Sequence, residues 1–467
     1  MLENAQLEKV LTVALQHGGD YADIYLEKKR INGIIGEENK IEKVLTGEEA
    51  GAGIRIVSGE KTSFAKTNDI SLAGLLKAAD IASRGVKADV FAQDIKLESL
   101  QKSSFMVEKR PDELALSSKG DWVKTANQAA RSLDKRIKQV SVVYSDVEKQ
   151  VTYANSFGEF KGEDRIKTRF TVSAIAKDEK QVQTGYDVIG GSIGLELYAK
   201  EDVAAVAASA GSKALNLLTA KEAPAGMMPI VISGTAGGTM IHEACGHGLE
   251  ADLVQKGVSV YAGKKGEKVA SSLVTVVDDG RMQGHYGSSL YDDEGAATRK
   301  NVLIKDGVLQ GYLYDRITAR KDGAELTGNG RRESYSCRPL PRMTNTYIAK
   351  GSSEPEEIVR AADKGLFVKR MGGGQVNTAT GDYVFDVSEG YLIEDGKVTC
   401  PVRGATLTGN GPETLKLVEM VGNDVGFTTG VCGKDGQGVP VTSGQPTILL
   451  KELLVGGSAI QGEIKRK

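Results

Sequence analysis

The stretch His242-Glu243-Ala244-Cys245-Gly246-His247 places two imidazoles and a carboxylate within six residues, in a chain with only four histidines. Imidazole is a common metal ligand, and a glutamate beside one can act as general base toward a metal-bound water. A regular α-helix turns about 100° per residue, so histidines four apart lie about 40° from each other and can share an ion. Here they are five apart, which on a regular helix separates the rings by about 140°. Either the two histidines are unrelated or the helix is distorted between them. A π turn takes up one extra residue and would realign them. Gly246 and Gly248, on either side of His247, would tolerate that distortion or let the helix end. A catalytic zinc site uses three protein ligands and an open position for water. Spacing alone leaves the third ligand open between His285, Cys432 and the carboxylates of Tyr291-Asp292-Asp293-Glu294-Gly295.

The elements that must position these residues fall into two textures. Leu7, Val10, Leu11 and Ala14 follow helical spacing, and His17-Gly18-Gly19 ends that helix. Strands are predicted over 21–29 and 51–57, and helices over 70–83 and 111–137. Further strands are predicted over 140–144, 150–153 and 165–176, and an alanine-rich helix over 201–218. The alternation in Arg165-Ile-Lys-Thr-Arg-Phe-Thr-Val reads as a half-exposed antiparallel strand. Residues 1–220 thus read as an α+β domain without a catalytic cluster. Lys221-Glu-Ala-Pro-Ala-Gly marks a boundary, and 221–467 reads as a β-rich domain carrying the metal-site helix. Met228–Ser233 is a buried-type strand, and Gly234-Thr-Ala-Gly-Gly238 turns the chain into that helix. This loop lacks the Gly-Lys-Ser/Thr ending of a phosphate loop, so it reads as a device for close approach of helix and sheet. Strands are predicted over 272–277 and 447–455, hairpin turns at Lys305-Asp-Gly and Glu394-Asp-Gly-Lys, and short helices over 356–362 and 413–420. The pentapeptide Leu-Thr-Gly-Asn-Gly, at 326–330 and 407–411, reads as two similar turns rather than an internal duplication. The fold class is α+β.

Composition excludes several classes. The chain of 467 residues has 60 Lys and Arg against 62 Asp and Glu, a net charge of −2, and no block of like charge. Neither a nucleic acid nor a membrane is expected as partner, since both call for a basic patch. No apolar run approaches the roughly 18 residues of a membrane span. The N-terminal sequence MLENAQLEKVLTVALQ lacks the basic-then-apolar order of a signal peptide. Four cysteines are too few for a disulfide framework and fit reduced thiols in a cytoplasm.

The His-Glu stretch resembles the zincin motif H-E-x-x-H with one residue added. Residues 228–450 resemble the TldD/PmbA metallopeptidases, also called modulator of DNA gyrase proteins, and most closely the TldD branch. The resemblance is carried by His242-Glu-Ala-Cys-Gly-His-Gly-Leu-Glu-Ala-Asp252, Val276-Val-Asp-Asp-Gly280, Tyr291-Asp-Asp-Glu-Gly295 and Thr327-Gly-Asn-Gly-Arg-Arg-Glu-Ser-Tyr335. Met371-Gly-Gly-Gly-Gln-Val-Asn377, Val402-Arg-Gly-Ala-Thr406 and Cys432-Gly-Lys-Asp-Gly-Gln437 complete it. It implies Zn2+ held by His242, His247 and Cys432, with Glu243 as the catalytic base of a peptidase. It further implies peptides or unfolded proteins as substrates, bound in extended form in a chamber built by a dimer. The partner would be a second copy or a PmbA/TldE-like paralogue.

Two other readings compete. One is a non-catalytic binding or regulatory protein of a gyrase or toxin–antitoxin system with a structural metal. The other is a cysteine hydrolase using Cys245 or Cys432 with a histidine. Outside the proposed site, Cys245, Cys337 and Cys400 read as packing residues, His285 as a surface or hairpin histidine, and Arg331 and Arg332 as a solvated pair rather than an anchor for a peptide carboxylate, while Asp292 to Glu294 fit a metal or substrate-amine site and a solvated turn equally.

Overall fold

Side-chain alternation organises the first half of the chain in the computed structural model, which describes residues 3–86 and 94–457; the expected domain limits at 1 and 467 lie outside them. Seven strands form one sheet: β1 (Tyr21–Glu37), β2 (Lys40–Ser58), β3 (Lys61–Thr67), β4 (Gln101–Ser104), β5 (Ile137–Asn155), β6 (Phe160–Lys177) and β7 (Val182–Gly191). The order runs β3-β2-β1-β5-β6. β4 and β7 share the far edge of β6, pairing with residues 161–164 and 168–177 respectively. Even-numbered side chains of β1, β5 and β6, such as Ile24, Ile34, Val142, Tyr144, Phe170 and Val172, are buried. Four helices, Asn4–Ala14, Leu72–Ser83, Leu116–Arg131 and Val203–Thr219, contribute to the apolar clusters on that face.

The odd-numbered face is partly exposed along β5 and β6, yet several of its charges are buried. Asp23, Glu27, Arg55 and Glu163 are between 1% and 5% exposed, because residues 286–335 of the second half pack on them. Over 165–172 β6 alternates between buried and partly exposed side chains, as its sequence pattern predicts, and its partly exposed side is where the second half reaches it. The Arg165 guanidinium donates to Asp293 Oδ1 at 2.7 Å, and Lys167 Nζ donates to Ser192 Oγ at 2.6 Å and to the Ser288 carbonyl at 3.2 Å. Polar alternation marks a face that avoids apolar neighbours, and it cannot distinguish water from a matching set of charges.

Other expectations also shift. The two strands predicted over 140–144 and 150–153 are one strand, β5, held continuous by β1 and β6 on either side. The helix predicted over 413–420 stops at Lys416, and Val418–Val421 is a strand on Ile448–Gly456. The strand predicted over 272–277 spans only Val276–Asp279. The two Leu-Thr-Gly-Asn-Gly segments differ: Gly328 has φ +75° in a loop, whereas Thr406–Asn410 is a strand with Asn410 at φ −122°. Local sequence was equal, and sheet pairing decided between them.

In the second half, Gly365–Val376 pairs with both Gly226–Ile232 and Asp382–Glu394. Ile448–Gly456 and Thr406–Asn410 complete the ring, so five strands close as a barrel. Beside it lies a six-stranded sheet whose outer edge is the hairpin Gly426–Lys434/Gln437–Gln445. The structure is a mixed α+β fold.

The seam between the halves concentrates carboxylates. Burial and the Glu294 charge push the Asp292 carboxyl up to about 8, against backbone N–H donors from Glu294, Gly330 and Ala296. Burial and Glu294 likewise raise Asp315 to about 6. A carboxyl raised on folding holds its proton more tightly in the native state. Its stabilisation is complete below the unfolded value near ~4 and is lost as pH rises through the folded value. For Asp292 that window runs from about 4 to about 8. Asp292→Asn should therefore gain melting temperature relative to wild type between about pH 5 and pH 9. Parallel melting curves across that range would exclude a buried proton at the seam.

Candidate metal centre

The loop Gly234–Gly238 brings the His-Glu segment onto the sheet as closely as backbone allows. Gly237 and Gly238 have φ +78° and +73°, and a Cβ on Gly238 would lie 2.4 Å from the Gly444 nitrogen. Thr239–Ile241 starts an α-helix, and the segment His242–Gly246 then widens into a π turn. The His247 amide donates to the His242 carbonyl, five residues back. The extra residue is thereby absorbed, and the two rings come to face one site with centroids 5.1 Å apart. Gly246 is where the turn meets the core: a Cβ there would stand 2.0 Å from Sδ of the fully buried Met343.

Cys432 reaches the same point from the hairpin strand Gly426–Lys434. One donor atom each from His242, His247 and Cys432 lies within 4.8 Å of the others. Cys432 Sγ is 3.3 Å from His247 Nε2. Burial alone would raise the Cys432 thiol, but His242 and His247 outweigh it and bring it down to about 4. Burial opposes charge on His247, whereas Glu250 and Cys432 hold its pKa well above the ordinary value. Two nitrogens and a thiolate are a donor set that zinc accepts, with bonds of about 2.0 and 2.3 Å. His242 Nδ1 is also buried without a hydrogen-bond partner. The residues therefore fit a zinc ion.

Glu243 lies beside the cluster, its Oε2 4.0 Å from His247 Nε2 and its side chain 23% exposed. Cys245 points away, fully buried, and burial pushes its thiol up to about 12. Cys337 and Cys400 are half-buried and unpaired.

The other candidate ligands are elsewhere. His285 packs edge-on against Phe427, with centroids 4.7 Å apart. Asp292, Asp293 and Glu294 are 2–4% exposed, so the solvated-turn reading is wrong for all three. Asp292 accepts backbone N–H groups, Asp293 pairs with Arg165, and Glu294 Oε1 lies 2.6 Å from the Arg55 guanidinium. Arg331 and Arg332 are buried as well. Arg331 donates to the Pro440 carbonyl at 2.7 Å and to that of Met343, while Arg332 lies 4.5 Å from the Tyr25 ring centre. Asp293, Glu294 and Arg332 find partners in the first half of the chain, and Asp292 and Arg331 find theirs in other loops and strands of the second, none of which local sequence reveals.

Sequence reasoning also passed over Glu250, which accepts from His247 Nδ1 at 3.1 Å. A carboxylate three residues after a histidine on a helix was the available signal.

The chain is similar to known proteins along most of its length. Residues 22–85, 109–218 and 225–457 match, in turn, PmbA/TldA metallopeptidase domain 1, central domain and C-terminal domain. The Metalloprotease TldD homolog of Haemophilus influenzae is 38% identical, covering 98% of this chain and 97% of its own length. The Zinc metalloprotease TldD homolog of Saccharolobus solfataricus is 27% identical over 96% and 99% of the two chains. TldE from Thermococcus kodakarensis shares the fold, with a TM-score of 0.77 at 21% identity, covering 97% of this chain and all of that one. The chain belongs to the PmbA/TldD family of metallopeptidases.

Proposed function

We propose that this protein is a zinc-dependent peptidase in which His242, His247 and Cys432 hold the metal and Glu243 is the general base. The observation that carries the reading is the convergence of three donors from two distant segments on one point, with a carboxylate beside it. Zinc bound there supplies Lewis acidity, lowering the pKa of water toward ~7 and polarising a carbonyl. The Glu243 carboxylate takes the proton of the attacking water and delivers it to the nitrogen of the leaving amine. His247, fixed through Nδ1, and Cys432, on its hairpin strand, would hold the metal beside the Glu243 carboxylate.

Peptides or unfolded segments are the substrate class. The strand Gly426–Lys434, which carries Cys432, is the outer edge of its sheet, so an extended peptide can add to it through main-chain hydrogen bonds that any sequence supplies. We further place the enzyme in the cytoplasm, consistent with four unpaired cysteines and with no described helix long and apolar enough to cross a membrane. We assign it a dimer with a second copy or a PmbA/TldE-like paralogue.

The test is metal removal. The purified protein should carry about one zinc per chain and cleave an unstructured peptide, and chelation should abolish cleavage until zinc is restored. A specific geometry favours one rival, the Cys432–His247 pair at 3.3 Å. Cleavage that survives chelation but is lost on thiol alkylation would make that pair a nucleophile and base, and would overturn the zinc mechanism.

A further inference from the structure

Behind the three donors lies a buried group of charges that no step above uses. Glu250 is fully buried and sits at the entry to the helix Ala251–Gln255. One of its oxygens, Oε2, takes both His247 Nδ1 at 3.1 Å and Lys434 Nζ at 3.1 Å. Lys434 stands two residues after Cys432 on the same strand, and its Nζ also meets Asp252 Oδ1 at 2.6 Å and the Pro341 carbonyl at 3.1 Å. Arg342, also fully buried, donates through Nη2 to the Cys432 carbonyl at 2.6 Å, and its Nε lies 3.9 Å from Glu250 Oε1. Two carboxylates and two cations therefore join the segment that bears His247 to the strand that bears Cys432. The set is neutral as a whole, so it holds both segments without requiring charge on the ring.

We propose that Glu250 is a positioning residue of the metal centre. It fixes the His247 ring through Nδ1 so that Nε2 faces Cys432, and through Lys434 and Arg342 it sets the distance between these two ligands. The inference rests on His247 and Cys432 being ligands, as proposed above. A carboxylate behind a ligating imidazole fixes the tautomer and orientation of the ring, and its loss typically weakens metal binding about 10–100-fold.

The test compares the full-length wild type with Glu250→Gln and Lys434→Met. Zinc affinity is measured by competition with a chelator, and the thiolate-to-metal absorption band is recorded on the cobalt-loaded proteins. Glu250→Gln should bind zinc about 10–100-fold more weakly and shift the band. Lys434→Met keeps the packed stem but cuts the tie to the cysteine strand, and it should move both readouts in the same direction by less. A residue that merely supported the fold would lower the melting temperature and leave the cobalt band in place, and that result would overturn the proposal. If Glu250→Gln does not fold, Lys434→Met decides: zinc affinity within about twofold of wild type and an unchanged band would refute the clamp. A wild type that binds no zinc would instead strike the ligand set itself. Tight zinc binding by the wild type and both variants would strike only the role given to Glu250.

Discussion

Glu243→Gln should retain a full complement of zinc and lose peptide cleavage by about a hundred- to ten-thousandfold, the range a well-placed general base contributes. The substitution preserves size and removes only the basic oxygen. Glu243 stands beside the donor cluster rather than within it: the three converging atoms belong to His242, His247 and Cys432, and the carboxylate lies 4.0 Å from the nearer imidazole nitrogen. Its partial exposure leaves it open to water and substrate, unlike Glu250. Full zinc with unchanged cleavage would remove the general-base role. Loss of zinc from the variant would make Glu243 a ligand and require a different base. Either result leaves the family assignment standing, because that rests on the whole chain.

Arg55→Met should destabilise the protein by about 3–5 kcal/mol, the usual effect of removing one partner from a buried ion pair. Arg55 is 1% exposed on β2 and sits between two carboxylates. Its Nε donates to Asp23 Oδ2 at 2.8 Å, and its Nη2 lies 2.6 Å from Glu294 Oε1. Asp23 belongs to the same sheet, whereas Glu294 belongs to the second half of the chain. Methionine fills much of the same volume but leaves Glu294 without its guanidinium and Asp23 with only the more distant Arg332, 3.9 Å away. Denaturant unfolding of the two proteins measures the difference, and a loss below about 1 kcal/mol would show that the seam is carried without Arg55 by Arg332 and by Arg316, whose backbone N–H donates to Glu294 at 2.6 Å and whose guanidinium donates to Glu159 at 2.9 Å. Because the Glu294 loop and the strand Gly330–Arg331 adjoin the Cys432 hairpin through Arg331 and Pro440, the variant should also weaken zinc binding.

Local pattern was enough to identify several parts of this protein. Period-3.6 spacing placed the first helix, because Leu7, Val10, Leu11 and Ala14 must all meet one core, and all four are buried. Asp-Gly pairs placed two hairpin turns, because the positive φ values of Asp306, Gly307, Asp395 and Gly396 are set by the turn itself. The one-residue excess in the His-Glu stretch required a π turn or a break, because side-chain direction on a helix follows from residue count alone. The motif resemblance named Cys432, which no local rule could have chosen over His285 or the acidic turn.

Only the tertiary structure decided the environment of the charges. Asp293, Glu294, Arg331 and Arg332 look like solvent-facing residues in sequence, and each is buried against an opposite charge, an aromatic ring or a carbonyl from a distant segment. Glu250 was visible as a neighbour of His247, but its partners Lys434 and Arg342 lie 184 and 92 residues further along the chain. Hydrophobic periodicity reports which face leaves water for an apolar core. A charge reports only that it must be solvated, and whether water or another charge does so depends on which segments fold together.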